Sequence, residues 1–263
     1  MKKILLINII IFLFWGCFES PDITPPMFVP KSPPDSLVET GIDAHPDNAI
    51  YLEWEEPSTA EEEGILSYYI YRGSTQNGEV KFKYLDEVVR SSGVIYESDS
   101  YIDYDVTLDS TYYYYLRSHN DFTDSRETSD TASYNLSLKA FNFSPFGEIN
   151  YNQPSFFFRY QYTSDRISHL YLRLFYFEET SYKIKYFTKT FINDFSKTKY
   201  YIYLNNNNYH TVILFDSLWT NSSNQKYLKK GNYRWRVDAI ASELGGAPET
   251  EGSESEWVYF TVK

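Results

Sequence analysis

The chain has 263 residues, enough for two domains of ordinary size, and a formal net charge of −12 at pH 7. That acidity argues against a nucleic-acid partner, which needs a basic footprint, and against electrostatic docking on anionic lipid. A single cysteine, Cys17, excludes a disulfide framework.

The chain opens with Lys2 and Lys3. An apolar run from Ile4 to Trp15 follows, broken only by Asn8, and then Gly16 and Cys17. The run is too short to span a bilayer, which takes about 20 apolar residues. It suits the hydrophobic region of a signal peptide, about 7–15 residues long. Residues 1–16 resemble a bacterial lipoprotein signal peptide, in which the cysteine is acylated and becomes the mature N-terminus. The family usually carries Leu three positions before the cysteine. Here that position is Phe14, followed by Trp15, with Leu13 one step back. The resemblance implies export, loss of two positive charges with the leader, and attachment to the lipid bilayer through Cys17. Phe18 follows the cysteine where inner-membrane retention usually has Asp. The anchor is therefore expected in the outer membrane, facing the surface or the periplasm.

Residues 17–34 read as a tether. They hold Pro21, Pro25, Pro26, Pro30, Pro33 and Pro34, six of the eleven prolines. Such a segment favours extended polyproline II, and at about 3.1 Å per residue it could reach roughly 50 Å from the lipid.

From 35 to 136 the pattern is all β. Ile50, Leu52 and Trp54 alternate with Tyr51 and Glu53. Pro57, Glu61–Glu63 and Gly64 mark a turn. Tyr68, Ile70 and Arg72 define the next strand, followed by Phe82, Leu85 and Val88, by Tyr101–Asp103, and by Tyr112, Tyr114 and Leu116. Short strands separated by turn signals predict a sandwich. These residues resemble a fibronectin type III domain: the early-strand Trp54 with Pro57, the Tyr68–Arg72 strand, Tyr101–Asp103 before a turn, and Val106 six positions before Tyr112. The resemblance implies that Tyr112 is a corner tyrosine whose hydroxyl bonds backbone a few residues upstream.

Residues 137–263 read as a second, divergent sandwich. Asn142–Gly147 opens it, Phe156 and Phe158 share one side of a strand, and Leu170, Leu172 and Leu174 alternate with Tyr171, Arg173 and Phe175. Leu228 followed by Gly231–Ala239 resembles the late strand of fibronectin- or immunoglobulin-like domains of bacterial surface proteins. That likeness makes Tyr233 a corner residue and puts Trp235 and Val237 in the core. Trp257 is expected to cover a sandwich edge, and Phe260–Val262 to close the domain. Asn205–Asn208 reads as a turn. The fold class is all-β, with two tandem fibronectin type III or immunoglobulin-like sandwiches after the signal peptide and tether.

Chemistry is sparse in this pattern. His45, His119, His169 and His210 form no metal spacing, and no Gly-x-Ser-x-Gly elbow is present. Glu178 and Glu179 flank Thr180–Ser181 and read as a solvated hairpin tip. Glu97, Asp99, Asp103, Asp105 and Asp109 form an acidic cluster, but without the glycine and closing glutamate of a calcium loop. No catalytic residue, metal site or cofactor is expected. The 27 tyrosines and 19 phenylalanines could form a sticky surface, but strand propensity and codon bias account for them more simply. Trp219, ahead of a polar loop, is the one candidate binding residue; it could stack a sugar or anchor a protein, or fold onto the second core. The reading is a non-catalytic envelope lipoprotein that binds a protein partner for adhesion or scaffolding. The alternative is glycan capture beside an outer-membrane uptake system.

Overall fold

The structure is a computed structural model. It describes residues 22–33, 36–90, 100–150, 157–163, 167–191, 199–203, 211–216, 219–220, 226–241 and 250–263. Cys17 and the rest of the leader lie outside the described residues, as do Phe156 and the Asn205–Asn208 turn.

The chain folds into two tandem β-sandwiches, and no helix occurs among the described residues. The first contains β1 (Met27–Phe28), β2 (Asp43–His45), β3 (Ala49–Glu55), β4 (Ser67–Gln76), β5 (Glu79–Val89), β6 (Ser100–Asp103), β7 (Ser110–His119) and β8 (Ala132–Leu136). One sheet has β3 at its centre, with β6 on one side and β1 and β2 sharing the other. The second sheet runs β5–β4–β7–β8. The alternation in β3 buries Ile50, Leu52 and Trp54 against Tyr68, Ile70, Tyr114 and Leu116 of the facing sheet. Asn77 and Gly78 both take positive φ, 54° and 85°, which closes the β4–β5 hairpin with the twist that a two-residue turn requires.

The second sandwich contains β9 (Phe141–Ser144), β10 (Gly147–Ile149), β11 (Phe157–Gln161), β12 (Ile167–Glu178), β13 (Ser181–Phe191), β14 (Lys199–Tyr203), β15 (Thr211–Asp216), β16 (Trp219–Thr220), β17 (Lys226–Tyr227), β18 (Gly231–Ala241), β19 (Glu251–Glu254) and β20 (Val258–Val262). The sheet β14–β11–β9 supplies Phe158 and Tyr160 to a core shared with Leu170, Leu172 and Leu174 of β12 and with Tyr233, Trp235 and Val237 of β18. Trp54 and Trp235 are fully buried, one in each core. Truncating either to Ala would cost about 3–5 kcal/mol. The two cores part between Leu136 and Ala140.

Both corner tyrosines form. The Tyr112 hydroxyl accepts from the Thr107 amide at 3.1 Å, and the Tyr233 hydroxyl donates to the Lys229 carbonyl at 2.8 Å. A serine device also recurs. Where the ladder beside the late strand is interrupted, Ser129 Oγ accepts from Leu116 N and Ser255 Oγ from Val237 N, each at 2.9 Å. The Glu178–Glu179 pair is a hairpin tip, with Glu179 at φ 54° and Glu178 held by Lys185 at 2.8 Å.

From Asp22 onward the proline-rich segment does not stand free. Ile23 and Pro26 are buried, Thr24 bonds Glu63, and Phe28 pairs with Trp54. Prolines suit this position because an edge segment need not donate every amide to a ladder. The first strand is therefore split into β1 and β2. The excursion between them keeps Val29 and Ile42 with the first sandwich and carries Ser36 and Glu39 to the second.

A strand of the second sandwich completes the link. β19 pairs antiparallel with β18 and parallel with β8, so one sheet continues from the first sandwich into the second. Asn135 N donates to Thr250 O at 2.6 Å and Ser137 N to Gly252 O at 2.8 Å. Gly252 is required by this approach: a Cβ there would lie 2.7 Å from the Ala239 carbonyl oxygen and 2.8 Å from the Tyr134 hydroxyl.

Candidate binding surface

The outer face of β5–β4–β7 is built by the same period-two alternation that fills the core. Tyr68, Ile70, Tyr114 and Leu116 turn inward, so Tyr69, Tyr71, Tyr115, Arg117 and His119 turn outward. β5 adds Val80, Phe82 and Tyr84 opposite them. Six rings form a continuous band. Tyr69 stacks on His119 at 4.7 Å and Tyr71 on Tyr115 at 4.7 Å; Tyr84 meets both Tyr69 and Tyr71 edge-on, and Phe82 leans on Tyr115 at 4.8 Å. Gly73 leaves a gap in this face that the side chains of Val80 and Phe82 fill.

The band reaches solvent most at Tyr84, 54% exposed, and its other five rings are half-buried. Burial, with Glu87 alongside, pushes the Tyr69 and Tyr84 phenols above their ordinary value. They are neutral donors at physiological pH. Arg117 stands opposite Tyr69, and its buried Nε has no hydrogen-bond partner. Rigid amphipathic rings beside a guanidinium are a composition suited to protein recognition. The tyrosine content alone did not show that these rings share one face; reading β4, β5 and β7 together, with the Asn77–Gly78 turn to set their register, would have.

The joint between the sandwiches is charged and buried. Arg236 of β18 reaches Glu39 at 2.6 Å, Glu254 at 2.5 Å and Asp238 at 2.8 Å. Arg173 of β12 holds Asp238 at 2.6 Å and Glu39 at 2.9 Å, and donates to the Ser36 carbonyl at 2.8 Å. Lys31 meets Asp43 at 2.5 Å, and Asp43 also accepts from the Tyr134 hydroxyl at 3.0 Å. Glu39, Lys31 and Ser36 come from the excursion between β1 and β2. Beyond Arg236, Trp257 lies between the guanidiniums of Arg234 and Arg236, at 4.0 and 4.8 Å, which continues the charged face along β18.

Of the residues singled out from the sequence, Cys17 lies outside the described part. Trp219 falls in β16, opposite Tyr227, and its side chain lies outside the described part. Asp103 is only 1% exposed and accepts from Arg72 at 2.9 Å, from the Tyr114 hydroxyl at 2.9 Å and from the Asp105 amide at 3.0 Å. Protein donors thus occupy the centre of the acidic cluster; Glu97 and Asp99 lie outside the described residues. His119 pairs with Asp124 at 2.7 Å and His169 with Ser168 at 2.6 Å. Trp257 packs edge-on to Phe175 of β12 at 5.3 Å and against Arg234 and Arg236 of β18, on the outer face of interior strands rather than over a sandwich edge.

Three strands facing four, with a corner tyrosine leading into β7, make the first unit a fibronectin type III-like sandwich. The chain is similar in shape to the FN1–FN3 domains of chicken CNTN1, with TM-score 0.32 and 13% identity over 91% of this chain and 68% of that one. It is similar also to a two-domain fibronectin type III segment of chicken tenascin, with TM-score 0.28 and 13% identity over 83% and 93%. No family model matches the chain, and no curated protein does.

Proposed function

We propose that this is a non-catalytic cell-envelope protein, tied to the outer membrane by an acylated Cys17, that presents the aromatic face of its first sandwich to a protein partner. The six-ring band from His119 to Phe82 carries the reading. It is contiguous and half-exposed, and no described residue buries it as Tyr171 and Phe187 are buried on the equivalent face of the second sandwich. Large exposed apolar patches of this kind mark interaction sites. The second sandwich, fused to the first through β19, then serves as a spacer that holds that face in a fixed direction. Glycan stacking on the same rings is the alternative. Labelled palmitate tests the anchor, since a Cys17→Ala chain should take up none. Cross-linking from the band tests the partner, and a glycan array that binds the protein while no protein cross-links would favour the alternative.

A further inference from the structure

The joint is short of positive charge. Two guanidiniums, Arg173 and Arg236, serve three carboxylates, Glu39, Asp238 and Glu254. Lys31 is taken by Asp43. Glu251 also lines the small cavity here, of about 20 Å³, room for one water. Among the described residues the other nearby cation is Lys139, whose ammonium donates to the Pro46 carbonyl rather than to these carboxylates. Oxygens of Glu39, Asp43 and Glu254 lie within 4.8 Å of one another. The pair that matters straddles the joint. Glu39 sits on the excursion of the first sandwich and Glu254 on β19 of the second. The Glu254 side chain is 8% exposed and that of Glu39 32%, with its carboxylate turned inward onto the two arginines.

We propose that Glu39 and Glu254 hold one proton between them across the joint, and that its loss loosens the two sandwiches from each other. With the proton in place, one carboxyl balances the local charge. Without it, two like charges from opposite sandwiches lie close together, and water reaches only the Glu39 side of the pair. The titration belongs to the pair rather than to either residue. Burial, opposed by Arg236, holds both carboxyls above the ordinary glutamate range, and Glu39 raises Glu254 further. The folded joint therefore keeps a proton that the opened chain releases. Its stability is full below the ordinary glutamate range and falls as pH rises from there through the folded value.

The Asn135 and Ser137 amides report on the joint, because their bonds cross it to Thr250 and Gly252. Hydrogen exchange on the full mature chain, corrected for intrinsic rates, compares them with the Ile70 and Leu172 amides inside the two sheets. Between about pH 5 and about pH 8, protection at 135 and 137 should fall severalfold relative to those references, as the pair loses the proton on which the closed joint depends. Glu39→Gln and Glu254→Gln should each abolish the fall. If Glu254→Gln exposes the reference amides, Glu39→Gln on its half-exposed loop decides alone. A constant ratio in the unsubstituted chain, or an equal fall in Glu39→Gln, would overturn the proposal.

Discussion

Arg236 and Glu39 stand 197 positions apart in the chain and 2.6 Å apart in space. The contact joins a strand of the second sandwich to a loop of the first, and the same guanidinium holds Glu254 and Asp238. Replacing Arg236 with Met would take the guanidinium from the buried Glu254 and leave Glu39 and Asp238 to Arg173 alone. The expected loss is about 3–5 kcal/mol, read by urea unfolding. Lys at this position should recover little, since one ammonium cannot reproduce the fork that meets Glu39 and Glu254 together.

Gly252→Ala should weaken the shared strand. The added Cβ meets the Ala239 carbonyl, which belongs to the β18–β19 ladder and has nowhere to go. A loss of about 1–3 kcal/mol is expected in denaturant unfolding. Tyr134→Phe in the same chain should not restore it, because the carbonyl clash remains.

The corner tyrosines give a matched pair. Tyr112→Phe removes an acceptor from the Thr107 amide, and Tyr233→Phe leaves the Lys229 carbonyl without its donor. Each should cost about 0.5–1.5 kcal/mol by chemical denaturation. The aromatic ring stays in both variants, so a larger loss would point to a different role for the corner.

Lys139 gives a pH dependence of opposite sign to that of the joint carboxylates. Burial lowers its ammonium to about 8, against the pull of Glu256, Glu254 and Asp47. The folded chain therefore binds fewer protons than the unfolded one between about 8 and the ordinary lysine value, so stability from this group rises with pH across that window. Lys139→Met should remove the rise, seen as a flatter melting temperature on the alkaline side.

Much of the sandwich architecture was legible because each strand buries one face. Ile50, Leu52 and Trp54, like Leu170, Leu172 and Leu174, show that alternation directly. The joint was not. Arg173, Arg236 and Asp238 occupy alternating outward positions on their strands, where charged residues ordinarily meet water. They are buried where the excursion between β1 and β2, with Trp257 and β19, covers them, contacts between segments far apart in sequence. The prolines misled for a related reason. They forbid a central strand but permit an edge, and Pro26 lies just ahead of Met27–Phe28, which pairs with β3. The aromatic band was hidden among 27 tyrosines, whose number alone says nothing about which share a face.

Tyr71→Ser and Tyr84→Ser should each cost about 1 kcal/mol or less, the size of a cross-strand ring contact, because neither ring belongs to a core cluster. That separates binding from folding and permits the most direct measurement. A photo-reactive residue placed at position 84 of the lipid-anchored chain, in its own cell envelope, should cross-link one discrete protein. The product should vanish when Tyr71 and Tyr115 are replaced by Ser. No protein product, or one that survives both replacements, would contradict the account.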